Sequence, residues 1–269
     1  MAAKSRIWRS HLWRLLALLL LSGLALQLFF LLRIALMVVV DPQSTPFQRS
    51  EIWRLATEQG RVLWSQEWRD RDQLGAHLQR AVIASEDAGF AEHSGVEWDA
   101  LEKAWERNLR AEASAEKRNE LIEQREQKAA ARGKPLATPL RKVEPKVVGG
   151  STISQQLAKN LFLSGERTAL RKGQEFLITF MLEGLLSKPR ILEIYLNNVE
   201  WGEGVFGAQA AAQHYFHVEA ARLAPAQAAR LAVMLPAPKR FEQRPGSPYL
   251  VSRAATITAR MGAVPLPTP

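Results

Sequence analysis

Eighteen consecutive residues, Leu15 to Leu32 (LLALLLLSGLALQLFFLL), carry no charge. Such a run cannot be the surface of a water-soluble fold, and it limits what this end of the chain can become. A spanning helix needs about 20 largely apolar residues. The region 12–40 supplies them, with Arg33 placed to snorkel at the outer side before IALMVVV closes the stretch. Lys4, Arg6, Arg9 and Arg14 precede the run with no acid among them, and Trp8 and Trp13 suit an interfacial belt. The positive-inside rule then puts the N-terminus in the cytoplasm and the rest of the chain outside. A cleaved signal peptide has an apolar stretch of about 7–15 residues and a small-residue cleavage site. This run is longer, and ALMVVVDPQ offers no such site, so the segment reads as an uncleaved anchor. A buried core helix would show an amphipathic pattern, which is absent here.

The 269 residues allow one good-sized domain beside the anchor. The net charge of +9 is unevenly spread: +4 falls in residues 1–14, and another +4 in 102–146, where 12 basic and 8 acidic residues stand. The rest of the chain is nearly neutral, which argues against a nucleic-acid partner, since such proteins concentrate charge on the folded domain. There is no cysteine, which excludes disulfides, thiolate chemistry and cysteine-based zinc sites.

Past the anchor the chain divides into a basic tail (1–11), the anchor (12–40), a polar linker with two prolines (41–50), a domain (51–260) and a short tail (261–269). Helical periodicity dominates the domain. DQLGAHLQRAVIASEDAGF places apolar residues near a 3.6 period and predicts a helix stopped by Gly89, with Glu86 close to its C-terminus. TISQQLAKNLFL, RKGQEFLITFMLEGLLS, KPRILEIYLNNV, GVFGAQAAAQHYF and PAQAARLAVML continue the pattern, while strand-like alternation is scarce. The fold class is mainly α. Residues 107–147 read as a charged insertion with little core of its own, a solvated helix or linker.

Two clusters carry chemistry. The first is SEDAGFAEHSG (85–95). Adjacent acids on a helix point about 100° apart, so one of Glu86 and Asp87 can face a cleft while the other serves structure, and His93 can bond locally. The second is GGSTISQQLAKN (149–160). Gly149 and Gly150 free the backbone, Ser151 and Thr152 can cap a helix, and Gln155, Gln156 and Lys159 follow on it. A capped helix start of this kind suits an anion. The order of a phosphate-binding P-loop is missing. Downstream stand Arg167, Arg171, Lys172 and Glu175. Arg171 and Glu175 are i,i+4, which is often a surface ion pair, yet several cations about one acid also suit a pyrophosphate. His214 and His217 lack a third ligand and read as structural. Ser114-Ala-Glu-Lys117 mimics a transpeptidase motif, but lies in the charged segment without companion motifs.

In order along the chain, ASEDAGFAEHSGVEWDAL (84–101), GGSTISQQLAKNLFL (149–163), RKGQE (171–175), KPRILEIYLNNVEWGEGVFGAQAAAQHYF (188–216) and LAVMLPAPKRF (231–241) resemble the peptidoglycan glycosyltransferases. The likeness is to the monofunctional, membrane-anchored biosynthetic type, with no transpeptidase domain expected after Pro269. It implies a lysozyme-like domain that polymerises lipid II at the periplasmic face of the cytoplasmic membrane. It implies that Glu86 is the base that takes the proton of the acceptor's 4-hydroxyl, and that Glu175 is a second catalytic acid at the pyrophosphate. Ser151, Gln155, Gln156, Lys159, Arg167 and Arg171 are implied to bind substrate. A divalent cation, Mg2+ or Mn2+, is implied too, and so are membrane lipids and cell-wall synthesis or division proteins as partners. Gly89 stands where the family often has a basic residue. A lysozyme-like hydrolase and a non-catalytic assembly scaffold are the competing readings. The cations around 159–171 argue against the first, and the presence of both clusters argues against the second.

Overall fold

A computed structural model of the chain describes residues 2–131, 140–145, 149–163 and 168–268. Contacts divide it into two compact units, Met1–Gly95 with Thr152–Pro269, and Val96–Ser151. The first unit opens with α1 (Ala2–Leu36), followed by α2 (Pro46–Gln59) and α3 (Ala76–Glu86). The second unit holds α4 (Trp98–Ala131). The first resumes with α5 (Ile153–Phe162), α6 (Ala169–Leu185), α7 (Lys188–Asn198), the hairpin β1 (Glu200–Gly202) and β2 (Val205–Phe206), α8 (Ala208–Phe216), α9 (Pro225–Met234), α10 (Pro238–Glu242) and α11 (Pro248–Met261). The fold is mainly α, and the antiparallel β1–β2 pair is the one sheet among the described residues.

In the first unit, α7 is the central helix. From Ile191 to Asn198 nearly every side chain is buried, so the helix is covered on all sides. Its two buried asparagines are satisfied in place. Asn197 accepts from the Arg69 amide at 2.8 Å and donates to the Arg69 carbonyl at 2.8 Å, and Asn198 donates to the Ile194 carbonyl at 2.9 Å. Around it lie Leu78, Val82, Leu157, Leu161, Ile178, Leu182 and Leu231, all of them buried.

Three boundaries differ from the sequence reading. Residues 41–50 are not a free linker. Thr45 and Gln48 form a reciprocal capping box that starts α2 at Pro46, and the Gln48 amide donates to the Asn198 carbonyl at 3.1 Å, so Thr45 and Gln48 are buried. α3 stops at Glu86 rather than at Gly89, because Asp87 turns to φ −163° and its side chain is taken up elsewhere. The tail after 261 is tied down: Val264 and Leu266 pack on the core, and Arg71 donates to the Pro267 carbonyl at 2.7 Å.

The anchor helix runs unbroken through Arg33 to Leu36, and residues 11–36 are apolar and long enough to cross a membrane. Its C-terminal turns and the residue that follows them belong to the core of the first unit, where Phe30, Ile34 and Met37 are buried. Arg190 fixes the exit by donating to the Met37 carbonyl at 2.9 Å and pairing with Asp41 at 2.6 Å.

In the second unit, α4 is one continuous 34-residue helix. The described part of the return leg lies along it. Asn119 exchanges two hydrogen bonds with the Val143 backbone, Leu140 N–H donates to Glu126, and Lys142 pairs with Glu123 at 2.7 Å. Gly150 sits close against the start of α4, where a Cβ would stand 2.9 Å from that of Ala104.

Candidate active site

Glu86 ends α3 with its carboxylate partly open to solvent. One oxygen accepts from Ser85 Oγ at 3.3 Å and the other from Gln156 Nε2 at 3.1 Å. The Gln156 amide is itself oriented, because the hydroxyl of the fully buried Tyr195 donates to its Oε1 at 2.9 Å. Three elements, α3, α5 and α7, thus converge on one carboxylate. Burial pushes the Glu86 carboxyl above its usual range. The Gln156 and Ser85 hydrogen bonds pull it partly back, the charge of Asp87 raises it and Arg253 on α11 lowers it. Burial also raises the Tyr195 hydroxyl, with the charges of Glu86 and Asp87 adding to it, so it stays a donor.

The neighbouring acid does structural work. Asp87 is buried, and its Oδ2 accepts from the Ile153 amide at 2.9 Å at the first turn of α5. Its Oδ1 lies 2.8 Å from His93 Nε2, and Gly95 N–H donates to His93 Nδ1 at 3.0 Å. Because Nδ1 accepts, Nε2 is the nitrogen that carries a proton toward Asp87. The loop closes at Gly95, whose φ of +91° leaves the space for no side chain: a Cβ there would lie 2.8 Å from Thr179 Cγ2 and Glu183 Cγ.

α5 is started by Thr152. Its Oγ1 accepts from the Gln155 amide and donates to the Gly95 carbonyl at 2.6 Å, while Gln155 Oε1 accepts from Thr152 N–H at 3.0 Å. Gln155 is therefore buried and spent on the capping box, and Gln156 is the glutamine that meets Glu86. Lys159 lies on the exposed side of α5. Ser151 is half-buried in the other unit, as its last residue.

A second charged cluster sits on α6. Glu175 is buried, and its two oxygens are taken by Arg171 at 2.9 Å and by Lys172. Arg171 Nε is also buried, with no hydrogen-bond partner among the described residues. Arg167 falls in 164–167, outside the described residues. No group of three or more His, Asp or Glu side chains fit to hold a metal ion exists among the described residues, and both Glu175 oxygens already face cations. These residues do not fit a metal site built by the protein alone.

Sequence reasoning missed Tyr195 and left the partners of Asp87 and His93 open. The one local signal for Tyr195 was a phenol between the apolar Ile194 and Leu196, where a buried hydroxyl needs a partner. Two cavities lie elsewhere. One of about 610 Å³ between α9 and α11 is lined by Arg230, Leu250, Val251 and Thr258 among others, and one of about 550 Å³ is lined by residues including Trp64, Glu203, His214 and Lys239. Neither includes a residue singled out from the sequence motifs as a site residue.

Comparison with known proteins bears on the same residues. The transglycosylase family model matches residues 56–118 and 135–262, which takes in Glu86, the capping cluster and the α6 cations. The match passes over 119–134, a shorter segment than the 107–147 drawn from composition. A biosynthetic peptidoglycan transglycosylase of Burkholderia pseudomallei is 50% identical over 246 residues, covering 91% of this chain and 84% of the relative. Proteins of the same name from Burkholderia thailandensis, 49% identical over 91% of this chain and 84% of the relative, and from Paraburkholderia xenovorans, 46% identical over 92% and 90%, are similar to it as well. With the family's domain spread over most of its length and relatives up to 50% identical over 91% of it, the chain belongs to the transglycosylase family and is a glycosyltransferase enzyme.

Proposed function

We propose that this enzyme polymerises the glycan strands of peptidoglycan from lipid II at the outer face of the cytoplasmic membrane. The observation that carries the reading is a single carboxylate, Glu86, half-buried at the end of α3, raised by burial and oriented by Gln156. A general base works best with its pKa moved toward the working pH and its oxygen within hydrogen-bond reach of the proton it takes. Glu86 takes the proton from the 4-hydroxyl of the acceptor's N-acetylglucosamine. The freed oxygen attacks C1 of the donor's N-acetylmuramic acid, and the bond from C1 to the pyrophosphate oxygen breaks. One displacement inverts the anomeric centre and gives a β-1,4 link from an α-linked donor.

The leaving undecaprenyl pyrophosphate gains negative charge as that bond breaks, and fixed cations lower the barrier for it. Lys159, Arg167, Arg171 and Lys172 are the groups for this task. Glu175 acts as a positioning acid that holds Arg171 and Lys172 in place. Gln156 positions the base, Gln155 acts through the helix cap, and Ser151 lines the donor side. The basic residues before the apolar run place the N-terminus inside.

Labelled lipid II, incubated with the detergent-solubilised full chain beside Glu86→Gln, tests the reading. The expected result is polymer sensitive to lysozyme from the wild type, and a rate lower by roughly 10²–10⁴-fold from the variant. Near wild-type turnover in Glu86→Gln removes Glu86 as the base. Release of soluble sugars from preformed glycan, without polymer, would replace the polymerase by a hydrolase.

A further inference from the structure

The cavity of about 550 Å³ is built differently from the one between α9 and α11. The latter is walled mainly by small apolar groups. The former sets the indole of Trp64 among charged groups of both signs, Arg61, Glu203, Lys239, His214 and Glu242. Its volume falls in the range of small-molecule sites, about 300–1,000 Å³. It shares no residue with the surroundings of Glu86.

Backbone pairing places the indole. Ser65 N–H donates to the Gly204 carbonyl and Phe206 N–H to the Ser65 carbonyl, each at 2.9 Å, so the chain before α3 lies extended against β2. The Trp64 ring leans on the buried Phe206 with centroids 5.9 Å apart, yet 42% of the residue is exposed. A ring fixed on one side and open on the other offers a flat apolar surface at little cost in conformational entropy. Gly204, at φ +73°, lets the hairpin close on this segment, since a Cβ there would stand 2.6 Å from the Leu63 carbonyl oxygen.

The polar groups are held before any ligand arrives. Glu203 accepts from Gln59 at 2.8 Å, from Arg54 at 3.1 Å and from Arg61 at 3.3 Å. Glu242 accepts from the Glu203 amide at 2.9 Å and lies 3.3 Å from His214 Nε2. Lys239 is paired with Glu51. Groups fixed in this way lose little freedom on binding.

The balance of charge narrows the ligand. Arg61 and Lys239 cancel Glu203 and Glu242 in formal charge, so a phosphate or a strongly charged peptide meets repulsion as well as attraction. A neutral molecule with many hydroxyls and one apolar face suits the mixture. Its hydroxyls can donate to the carboxylates and accept from the cations, while the C–H face of a pyranose ring lies on the indole.

We propose that this cavity is a saccharide-binding site apart from the Glu86 site, and that it takes pyranose rings of a neutral glycan backbone. That the glycan is the enzyme's own product rests on the polymerase reading above. The preference for a neutral hydroxylated ring rests on the cavity alone.

Saturation-transfer NMR on the detergent-solubilised full chain, titrated with chitotetraose as a soluble neutral β-1,4 glycan, tests the site. The expected result is binding by the wild type, equal binding by Glu86→Gln, and a Kd raised roughly tenfold in Trp64→Ala, the value of one lost ring contact. No transfer to the wild type, or unchanged affinity in Trp64→Ala, overturns the site. Binding lost in Glu86→Gln would put the sugar in the catalytic cleft and overturn it too. Displacement of the sugar by inorganic phosphate overturns the neutral preference. Trp64 packs on Phe206, so a second measurement covers a Trp64→Ala chain that does not fold. In the wild type labelled with 5-fluorotryptophan, the fluorine resonance missing from Trp64→Phe is expected to shift on addition of chitotetraose. A Trp64 resonance that stays in place while the sugar binds overturns the proposal. Neither readout uses lipid II, so failure of the polymerase reading leaves the site standing, and the reverse holds too.

Discussion

The Tyr195 hydroxyl donates to Gln156, and Gln156 donates to Glu86, so a phenol two groups away helps to orient the proposed base. The Glu86 carboxylate accepts only, so it draws the Gln156 NH2 group, and the donor from Tyr195 on Oε1 reinforces that arrangement. In Tyr195→Phe the reinforcement is gone, and the Gln156 N–H group is held less firmly on Glu86. The ionised carboxylate loses support, so the pKa of Glu86 moves further up. A base is active when deprotonated, so the rise of kcat/KM with pH shifts to higher pH in Tyr195→Phe, and the rate at neutral pH falls by less than in Glu86→Gln. A pH–rate profile on lipid II measures this. An unshifted acidic limb would show that Tyr195 serves packing alone. Glu175 belongs to the same scale: its buried charge is already balanced by Arg171 and Lys172, so Glu175→Gln leaves less firmly placed the two cations proposed to meet the pyrophosphate. The expected outcome is a loss in handling of the donor, read as a slower elongation rate, with the pH profile of Glu86 unmoved.

At the scale of elements, the first turn of α5 joins both motifs. Thr152 caps the helix, its hydroxyl reaches the Gly95 carbonyl, and Asp87 takes the next free amide at Ile153. Thr152→Ala removes the cap, worth about 1 kcal/mol, and a buried hydrogen bond worth about as much. The expected loss is therefore roughly 2 kcal/mol in unfolding free energy. Thr152→Ser keeps both bonds and loses clearly less, and equal losses in the two variants would refute the account. The start of α5 was legible in the sequence because its signal is local: Ser151 and Thr152 stand just ahead of an apolar-periodic run, whereas Thr45-Pro46, equally local, read as linker. What was not legible joins residues far apart in the chain. Asp87 to Ile153 spans 66 positions, Tyr195 to Gln156 spans 39, and Asn197 to Arg69 spans 128. Nothing in the spacing of a single sequence fixes such pairs. That is why Gln155 and Gln156 looked equivalent, although one is turned inward to the cap and the other meets the base.

For the whole molecule, the boundaries drawn from composition were weakest where polar residues are buried. The stretch 41–50 is polar and rich in proline, yet its Gln48 is fully buried against α7. The same holds for a charged cluster that ties α2, β1 and α10 together. Lys239 on α10 pairs with Glu51 on α2 and lies 3.3 Å from Glu200 on β1, while Arg54 pairs with Glu51 at 2.6 Å and Glu203 at 3.1 Å. Burial raises Glu51, but the Arg54 and Lys239 hydrogen bonds outweigh it and hold its carboxyl below the usual range. Glu200 goes the other way: burial pushes it up to about 7, with Lys239 lowering it and the charge of Glu51 adding to the rise. An acid with a raised folded pKa binds its proton more tightly in the native state, so its contribution to stability falls as pH rises from the unfolded value of 4.5 to about 7. At about 1.36 kcal/mol per pH unit, that is on the order of 3 kcal/mol. Glu200→Gln carries a permanently neutral group in the same place and escapes this loss. Glu51 and Glu203, both held low, are ionised throughout the window and cancel in the comparison. The melting temperature of Glu200→Gln relative to wild type is therefore expected to rise from pH 5 to about pH 7 and to level off between there and pH 8.5. A difference that stays flat across that range, or that falls, would mean that Lys239 holds Glu200 ionised at neutral pH and that the cluster is a closed set of ion pairs.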